Sequence, residues 1–170
     1  YIKKFRNIGS DKKFYHDLVG VNSRLDTIQA AILIRKLKEL NKHNSRRKKI
    51  AKIYSENIKN KNLKKLEYSK GCVFHQYVIK TKKINKFLTY LRKKNIPYGR
   101  HYPFPLHKLN AVKKLFKNKN FKNSEELAKH GVSLPVNPLL SDKEILNICN
   151  ILKHSPIAPG RSYIHLLAIN

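Results

Sequence analysis

Leu25, Ile28, Ile32, Leu33, Leu37 and Leu40 recur at helical spacing just after a polar stretch at residues 20–24, and no other feature constrains the fold as much. Residues three and four apart share one face of a helix, so this stripe requires a long amphipathic helix and an apolar surface for it to meet. Ser23, followed three residues later by Asp26, resembles a capping box opening that helix. After a polar break at 41–45 a second stripe follows through Ile50, Ile53, Tyr54 and Ile58, with Lys and Arg opposite. Nothing in the break forbids the two helices from being continuous.

Residues 72–79 are rich in β-branched and aromatic side chains and read as a strand, and 84–94 returns to a helical stripe through Phe87, Leu88 and Leu91. Asn95 and Pro97 end that helix. Residues 98–102 form a second candidate strand, running into a loop stiffened by Pro103 and Pro105. Asn123 with Glu126, and Ser141 with Glu144, are further N-cap signals, the second opening a helix with Ile145, Ile148, Cys149 and Leu152 on one face. This order of elements points to an α/β or α+β layered fold.

At 170 residues the chain is one domain, or a small domain with appendages, and its 41% hydrophobic content is enough for a core. No stretch reaches the roughly 18 to 20 apolar residues of a membrane-spanning helix. Residues 1–11 are basic and polar, with no apolar core of a signal peptide and no initiating Met, so the chain reads as starting partway through a longer one. Lys and Arg total 38 against 10 Asp and Glu, a net charge of +28 that turns attention to nucleic acid or anionic membranes. The lysines, however, are scattered along the chain among Asn and Ile, whereas a dedicated binding surface concentrates its charge in one stripe. A basic nucleic-acid-binding module is kept as the alternative reading, recognisable by strongly salt-dependent binding. Cys72 and Cys149 are far apart, which suits buried free thiols in a reducing cytoplasm better than a disulfide. Residues 156–170 contain no Lys at all and read as an atypical tail, non-native or disordered.

Hydrolase, nucleotide-loop, dinucleotide-turn and zinc-protease signatures are all missing, and none of the eight His forms a helical pair at metal spacing. No metal is expected. Two polar segments stand out. Residues 20–24 precede the first long helix, where backbone amides and the helix dipole favour a phosphate or carboxylate; the alternative is that Asn22 and Ser23 only cap the helix and Arg24 is a solvated charge. In residues 100–107 the imidazole of His101 and the phenol of Tyr102 sit on a Pro-stiffened loop, against the alternative of a strand end packed on a turn. Residues 133–138, SLPVNP, read as a rigid structural segment.

Arg6-Asn7-Ile8-Gly9-Ser10 with Tyr15-His16, GVNSRLDTIQAAIL at 20–33, Lys36-Leu37, residues 47–54, Phe74-His75-Gln76-Tyr77-Val78, HYPFPLH at 101–107 and SLPVNPLLSDKE at 133–144 follow one another over about residues 5–153. Together these stretches resemble the C-terminal portion of the DegT/DnrJ/StrS family of pyridoxal-phosphate-dependent sugar aminotransferases. The resemblance implies an α/β chain: the end of the large domain and linking helix (1–43) plus the small C-terminal α/β domain (44–154) of the aspartate-aminotransferase, type I pyridoxal-phosphate fold. Residues 155–170 fall outside it. It further implies a cytoplasmic homodimer with its sites at the subunit boundary. The family's Schiff-base lysine is expected upstream of Tyr1, and no lysine here stands in that motif, so no catalytic residue is named.

By motif, Asn22 is similar to the family residue that reaches the cofactor phosphate of the neighbouring subunit. Arg24 would face the anionic part of the cofactor or nucleotide substrate, His101 and Tyr102 would wall the sugar pocket, and Tyr15 and His16 belong to a nearby loop. The implied reaction moves an amino group from a donor, commonly glutamate, to a keto-sugar nucleotide for lipopolysaccharide or another surface glycan. The motifs look most like the branch that acts on 3-keto sugars linked to UDP or dTDP. The chain alone is expected to be an inactive fragment; a catalytically dead subunit paired with a full-length homologue is a third reading.

Overall fold

Alternation and helical spacing both find their partners in the part of the chain that starts at His43. The computed structural model describes residues 1–12, 14–23, 25–117 and 119–156, and divides the chain into two units, Tyr1–Lys42 and one beginning at His43. In chain order the helices are α1 (Ile2–Phe5), α2 (Thr27–Leu37), α3 (Leu40–Asn57), α4 (Ile84–Lys93), α5 (Lys122–His130) and α6 (Asp142–Lys153), and the strands are β1 (Lys64–Lys65), β2 (Tyr77–Lys80) and β3 (Gly131–Leu134). Two 3-10 turns, Leu106–Lys108 and Lys113–Phe116, lie between α4 and α5.

The strands form an antiparallel sheet in the order β1-β2-β3, with Tyr77 opposite Leu134 and Ile79 opposite Val132. Successive side chains of a strand point to opposite faces, so Tyr77, Ile79, Val132 and Leu134 share one face. On it they join Ile50, Tyr54 and Ile58 of α3 and just beyond, Phe87 and Leu91 of α4, and Ile145, Cys149 and Leu152 of α6 in one buried cluster. Each fully buried large side chain contributes about 1.5–3 kcal/mol of transfer free energy. Burial also pushes the Cys149 thiol up to about 11. Because β1 is only two residues long, it leaves Val78 of β2 without a strand partner on that edge. The Tyr68 hydroxyl fills the gap, accepting from Val78 N–H at 2.7 Å and donating to Val78 C=O at 3.3 Å.

Both ends of α6 are tied down. A complete capping box opens it, Ser141 Oγ accepting from Glu144 N–H and Glu144 Oε2 accepting from Ser141 N–H. Arg46 of α3 reaches Asp142 and the Leu140 carbonyl, and Lys49 lies 2.6 Å from Asp142. At the other end Asn60 Nδ2 donates to Leu152 O and Ser155 Oγ.

The smaller unit is built around a crossing of two glycines. Ile8 N–H donates to Val21 O, Val21 N–H to Phe5 O and Ser23 N–H to Arg6 O, which pairs Asn7 with Asn22 in an antiparallel bridge. A Cβ on Gly20 would stand 2.2 Å from Gly9 N, and one on Gly9, whose φ is +75°, would stand 1.7 Å from Leu18 O. Only glycine fits at either point.

Several sequence expectations are corrected here. Ser23 does not cap α2: its N–H is committed to Arg6, and the helix starts at Thr27 after Asp26, without a side-chain cap. Residues 41–45 do not break the helix, since they contain no Gly or Pro; the interruption lies at 38–39. The strand expected over 72–79 is confined to Tyr77–Lys80, because Phe74 sits at φ +54°, where extended pairing ends. Of residues 98–102 only Gly99 pairs, exchanging hydrogen bonds with Ser133 at 2.9 and 3.0 Å, before Arg100 turns to the α5 carbonyls. Asn123 lies inside α5, whose N-cap is Phe121. The rigid segment at 133–138 begins in strand β3, which follows α5 directly at Gly131; a Cβ there would meet Leu127 O at 2.6 Å. The atypical tail lies outside the described residues from 157 on.

Candidate functional site

The sequence-derived site residues fall in both units. In the unit Tyr1–Lys42, Asn22 is exposed, its backbone held by the bridge to Asn7. The anion site was inferred from a helix N-terminus, but α2 starts five residues after Asn22, so its dipole does not act there directly. What presents Asn22 is instead the paired turn. On the Asn7 side of the bridge Lys3, Arg6, Asn7, Ser10 and Asp11 line a cavity of about 330 Å³. Lys4 pairs with Asp17 and Asp11, which raise its pKa above the ordinary lysine value.

His16 braces the same turn. His16 Nδ1–H donates to the Ile8 carbonyl at 2.9 Å, and Ile8 in turn donates to Val21, next to Asn22. Tyr15 pairs with Lys12 through the backbone, and the Lys12 ammonium sits 5.1 Å from its ring centroid. Arg24 lies outside the described residues.

In the unit beginning at His43, His101 is held from two sides. Its Nδ1 shares a 3.0 Å hydrogen bond with the hydroxyl of Ser133, a buried residue of β3. Its ring lies close against Gly99, where a Cβ would meet His101 Cε1 at 2.1 Å. Nε2 makes no hydrogen bond among the described residues. Tyr102 stands edge-on to the imidazole at 5.7 Å and is 74% exposed. Together with His75, Gln76, Tyr98 and Ser133, His101 borders a cavity of about 370 Å³.

Sequence reasoning missed Ser133 and Gly99, which orient His101, and His75 and Gln76, which share its cavity. A glycine two residues before a histidine was the only signal for the first pair. The second histidine of HYPFPLH is spent on structure. His107 Nε2–H donates to Glu125 Oε1 at 3.0 Å and Lys108 reaches Oε2 at 2.8 Å, and these two, Lys108 first, hold the Glu125 carboxyl below its ordinary range. Among the described residues no group of three His, Cys, Asp or Glu could hold a metal, and no helix is long and apolar enough to cross a membrane.

Residues 1–153 match the DegT/DnrJ/EryC1/StrS aminotransferase family. The chain is 42% identical over 142 residues to the dTDP-3-amino-3,6-dideoxy-alpha-D-galactopyranose transaminase of Aneurinibacillus thermoaerophilus, covering 82% of this chain and 39% of that protein. It is 32% identical over 153 residues to the UDP-2-acetamido-2-deoxy-3-oxo-D-glucuronate aminotransferase of Pseudomonas aeruginosa, covering 89% and 42%. Among solved structures, DesV of S. venezuelae superimposes with a TM-score of 0.79 at 26% identity, over 89% of this chain and 42% of that one. An aminotransferase from Brucella abortus superimposes at 0.76 with 29% identity and the same coverages. The chain thus spans about two fifths of the length of these relatives, and the expected type I pyridoxal-phosphate fold is theirs.

Proposed function

Because the chain belongs to the DegT/DnrJ/EryC1/StrS aminotransferase family, we propose that it is the carboxy-terminal portion of a pyridoxal-phosphate-dependent enzyme that moves an amino group, with glutamate as donor, to a keto-sugar nucleotide linked to UDP or dTDP. The observation that carries this is the 42% identity to a dTDP-sugar transaminase. Amination at position 3 is favoured because that relative and the P. aeruginosa one are both named for a sugar altered there. We assign the product to surface-polysaccharide synthesis and the assembled enzyme to a cytoplasmic homodimer, as in the family reading of the sequence.

The residues present suit the phosphate end of the cofactor. Asn22 carries an exposed side chain on a backbone turn where Gly9 and Gly20 meet closely, with Lys3 and Arg6 near its bridge partner and Asp11 partly offsetting them. In this reading Asn22 holds the phosphate of the neighbouring subunit's cofactor, Arg24 adds charge, and Tyr15 and His16 keep the turn in place. When bound, the cofactor supplies the carbon centre that carries nitrogen from donor to acceptor. Within its own unit His101 uses Nε2 to orient a sugar hydroxyl, with Ser133 and Gly99 fixing the ring and Tyr102 flanking it. The Schiff-base lysine belongs to no motif of this chain, so the isolated chain is read as inactive.

A chimera tests the assignment. Replacing the matching stretch of the A. thermoaerophilus relative with residues 5–153 should leave an enzyme that aminates a dTDP-3-keto sugar, and Asn22→Ala or His101→Ala in the chimera should lower kcat/KM by about 100-fold, or ~2.7 kcal/mol. A chimera that folds and binds cofactor yet aminates no sugar nucleotide would overturn it. So would a stoichiometric, borohydride-fixed adduct of pyridoxal phosphate on one lysine of the chain alone.

A further inference from the structure

Among the described residues Ile8, Phe14, Phe74 and Asn95 have positive φ without being glycine, and Ile8, at +60°, is the β-branched one. A left-handed backbone brings Cβ too close to the following carbonyl oxygen, so a branched residue stays there only where its surroundings over-determine it. Burial of the side chain does not do this, since Ile8 is 46% exposed. What holds it is a hydrogen bond on each side of its Cα. The Ile8 N–H donates to Val21 O at 3.1 Å, and the Ile8 carbonyl accepts from His16 Nδ1 at 2.9 Å. A carbonyl oxygen only accepts, so the His16 ring carries its proton on Nδ1. The two peptide planes making these bonds are related by the backbone angles of Ile8, and a return to ordinary negative φ would swing one of them off its partner. Gly9 repeats the arrangement with a backbone group, its carbonyl accepting from Asp17 N–H at 3.1 Å. Residues 16 and 17 thus clamp residues 8 and 9, and the clamped stretch adjoins Asn7, the bridge partner of Asn22.

We propose that His16 is a positioning residue of the anion site: its Nδ1–H locks Ile8 in the left-handed form, and Ile8, through Val21, sets the register of the bridge that presents Asn22. The inference rests on the reading that Asn22 holds the cofactor phosphate, and it gives His16 a part played through the backbone, not by contact with substrate. Glycine at position 8 would need no clamp, because it enters the left-handed region without a Cβ to crowd. Isoleucine there makes the geometry of Asn22 conditional on one exposed imidazole. Strain and clamp are therefore coupled, and removing both disturbs the turn less than removing the clamp alone.

The test starts with ring nitrogen NMR of the 170-residue chain, at a pH where the imidazole is neutral, which should show His16 protonated on Nδ1 and bare on Nε2. His16→Ala should speed exchange of the Val21 and Ser23 amides by about tenfold while those of β2 and β3 keep their protection. His16→Asn, whose carboxamide N–H can stand in for Nδ1–H, should restore most of that protection. Combined with Ile8→Gly, His16→Ala should change the exchange by less than about threefold. In the A. thermoaerophilus chimera His16→Ala should raise the Kd for pyridoxal phosphate by about tenfold, or ~1.4 kcal/mol, and adding Ile8→Gly should reverse the rise. A ring protonated on Nε2, or an equal effect of His16→Ala with and without Ile8→Gly, would overturn the clamp. Faster exchange with unchanged cofactor affinity would overturn the positioning role. Failure of the aminotransferase reading registers elsewhere, as an unsubstituted chimera that binds cofactor yet aminates no sugar nucleotide, and leaves the comparison of affinities standing.

Discussion

Helices α2 and α6 both carry apolar stripes and meet opposite fates. On α6, Ile145, Cys149 and Leu152 are buried, and the helix is capped at its start. On α2 no residue is buried: Ile28 is 77% exposed, Ile34 64% and Leu37 66%. Periodicity therefore reports that a helix has an apolar side, and says nothing about where its partner lies. A run of large exposed side chains of this kind marks an interaction surface. In the proposed reading that surface meets the rest of the large domain or the second subunit.

The largest test of this contrast is truncation on each stripe. Ile145→Ala should cost about 2–5 kcal/mol in denaturant unfolding, whereas Ile32→Ala on α2 should stay within about 0.5 kcal/mol. Comparable losses would mean that α2 is packed in solution after all. Next comes Gly20→Ala. Forcing a Cβ against Gly9 N should cost about 1–3 kcal/mol and release the turn at Asn22, seen as fast amide exchange at Val21 and Ser23, while amides of β2 and β3 keep their protection.

A smaller effect separates the two cap signals. Ser141→Ala removes an observed capping box and should lose about 1 kcal/mol, but Asn123→Ala, in the first turn of α5, should change stability by less than about 0.5 kcal/mol. The smallest effect is in pH, because the ion pairs are exposed. Glu125, Asp142 and Glu144 all have pKa values held below the ordinary carboxylate range, by Lys108 and His107, by Lys49 and Arg46, and by Ser141 respectively. Their contribution is complete above the unfolded-state values of 4.5 and 3.8 and is lost as pH falls through the lower folded ones. In the other unit Lys4 is raised, chiefly by Asp17, so its contribution is complete below 10.5 and fades as pH rises through the folded value. The unit starting at His43 should thus weaken first in acid and the turn at Asn22 in alkali. Glu125→Gln should flatten the acid limb and Asp17→Asn the alkaline one.

The sequence carried the core well. The stripes through Ile50 and Tyr54, Phe87 and Leu91, and Ile145 and Leu152 are those of the buried cluster, since each follows from spacing within one helix. For the candidate site the sequence names residues but not the geometry that holds them. His101 was singled out from its Pro-stiffened loop, while Ser133 and Gly99 were not, because a hydroxyl from β3 meets that ring only when two distant segments come together. Strand limits failed for the same reason: pairing, unlike helix formation, depends on what lies alongside.

What the amino-acid order determined unaided was therefore local and familial: which stretches are helical, which face of each is apolar, that Ser141 and Glu144 cap α6, and that the motifs match one family of aminotransferases. Tertiary structure alone decided that Asn22 is presented by a strand-like bridge to Asn7 and not by a helix end, that Tyr68 stands in for a missing strand, and that one stripe is covered while another is bare. These are contacts between segments far apart in the chain, set by volume, register and hydrogen-bond satisfaction, and no local pattern encodes them.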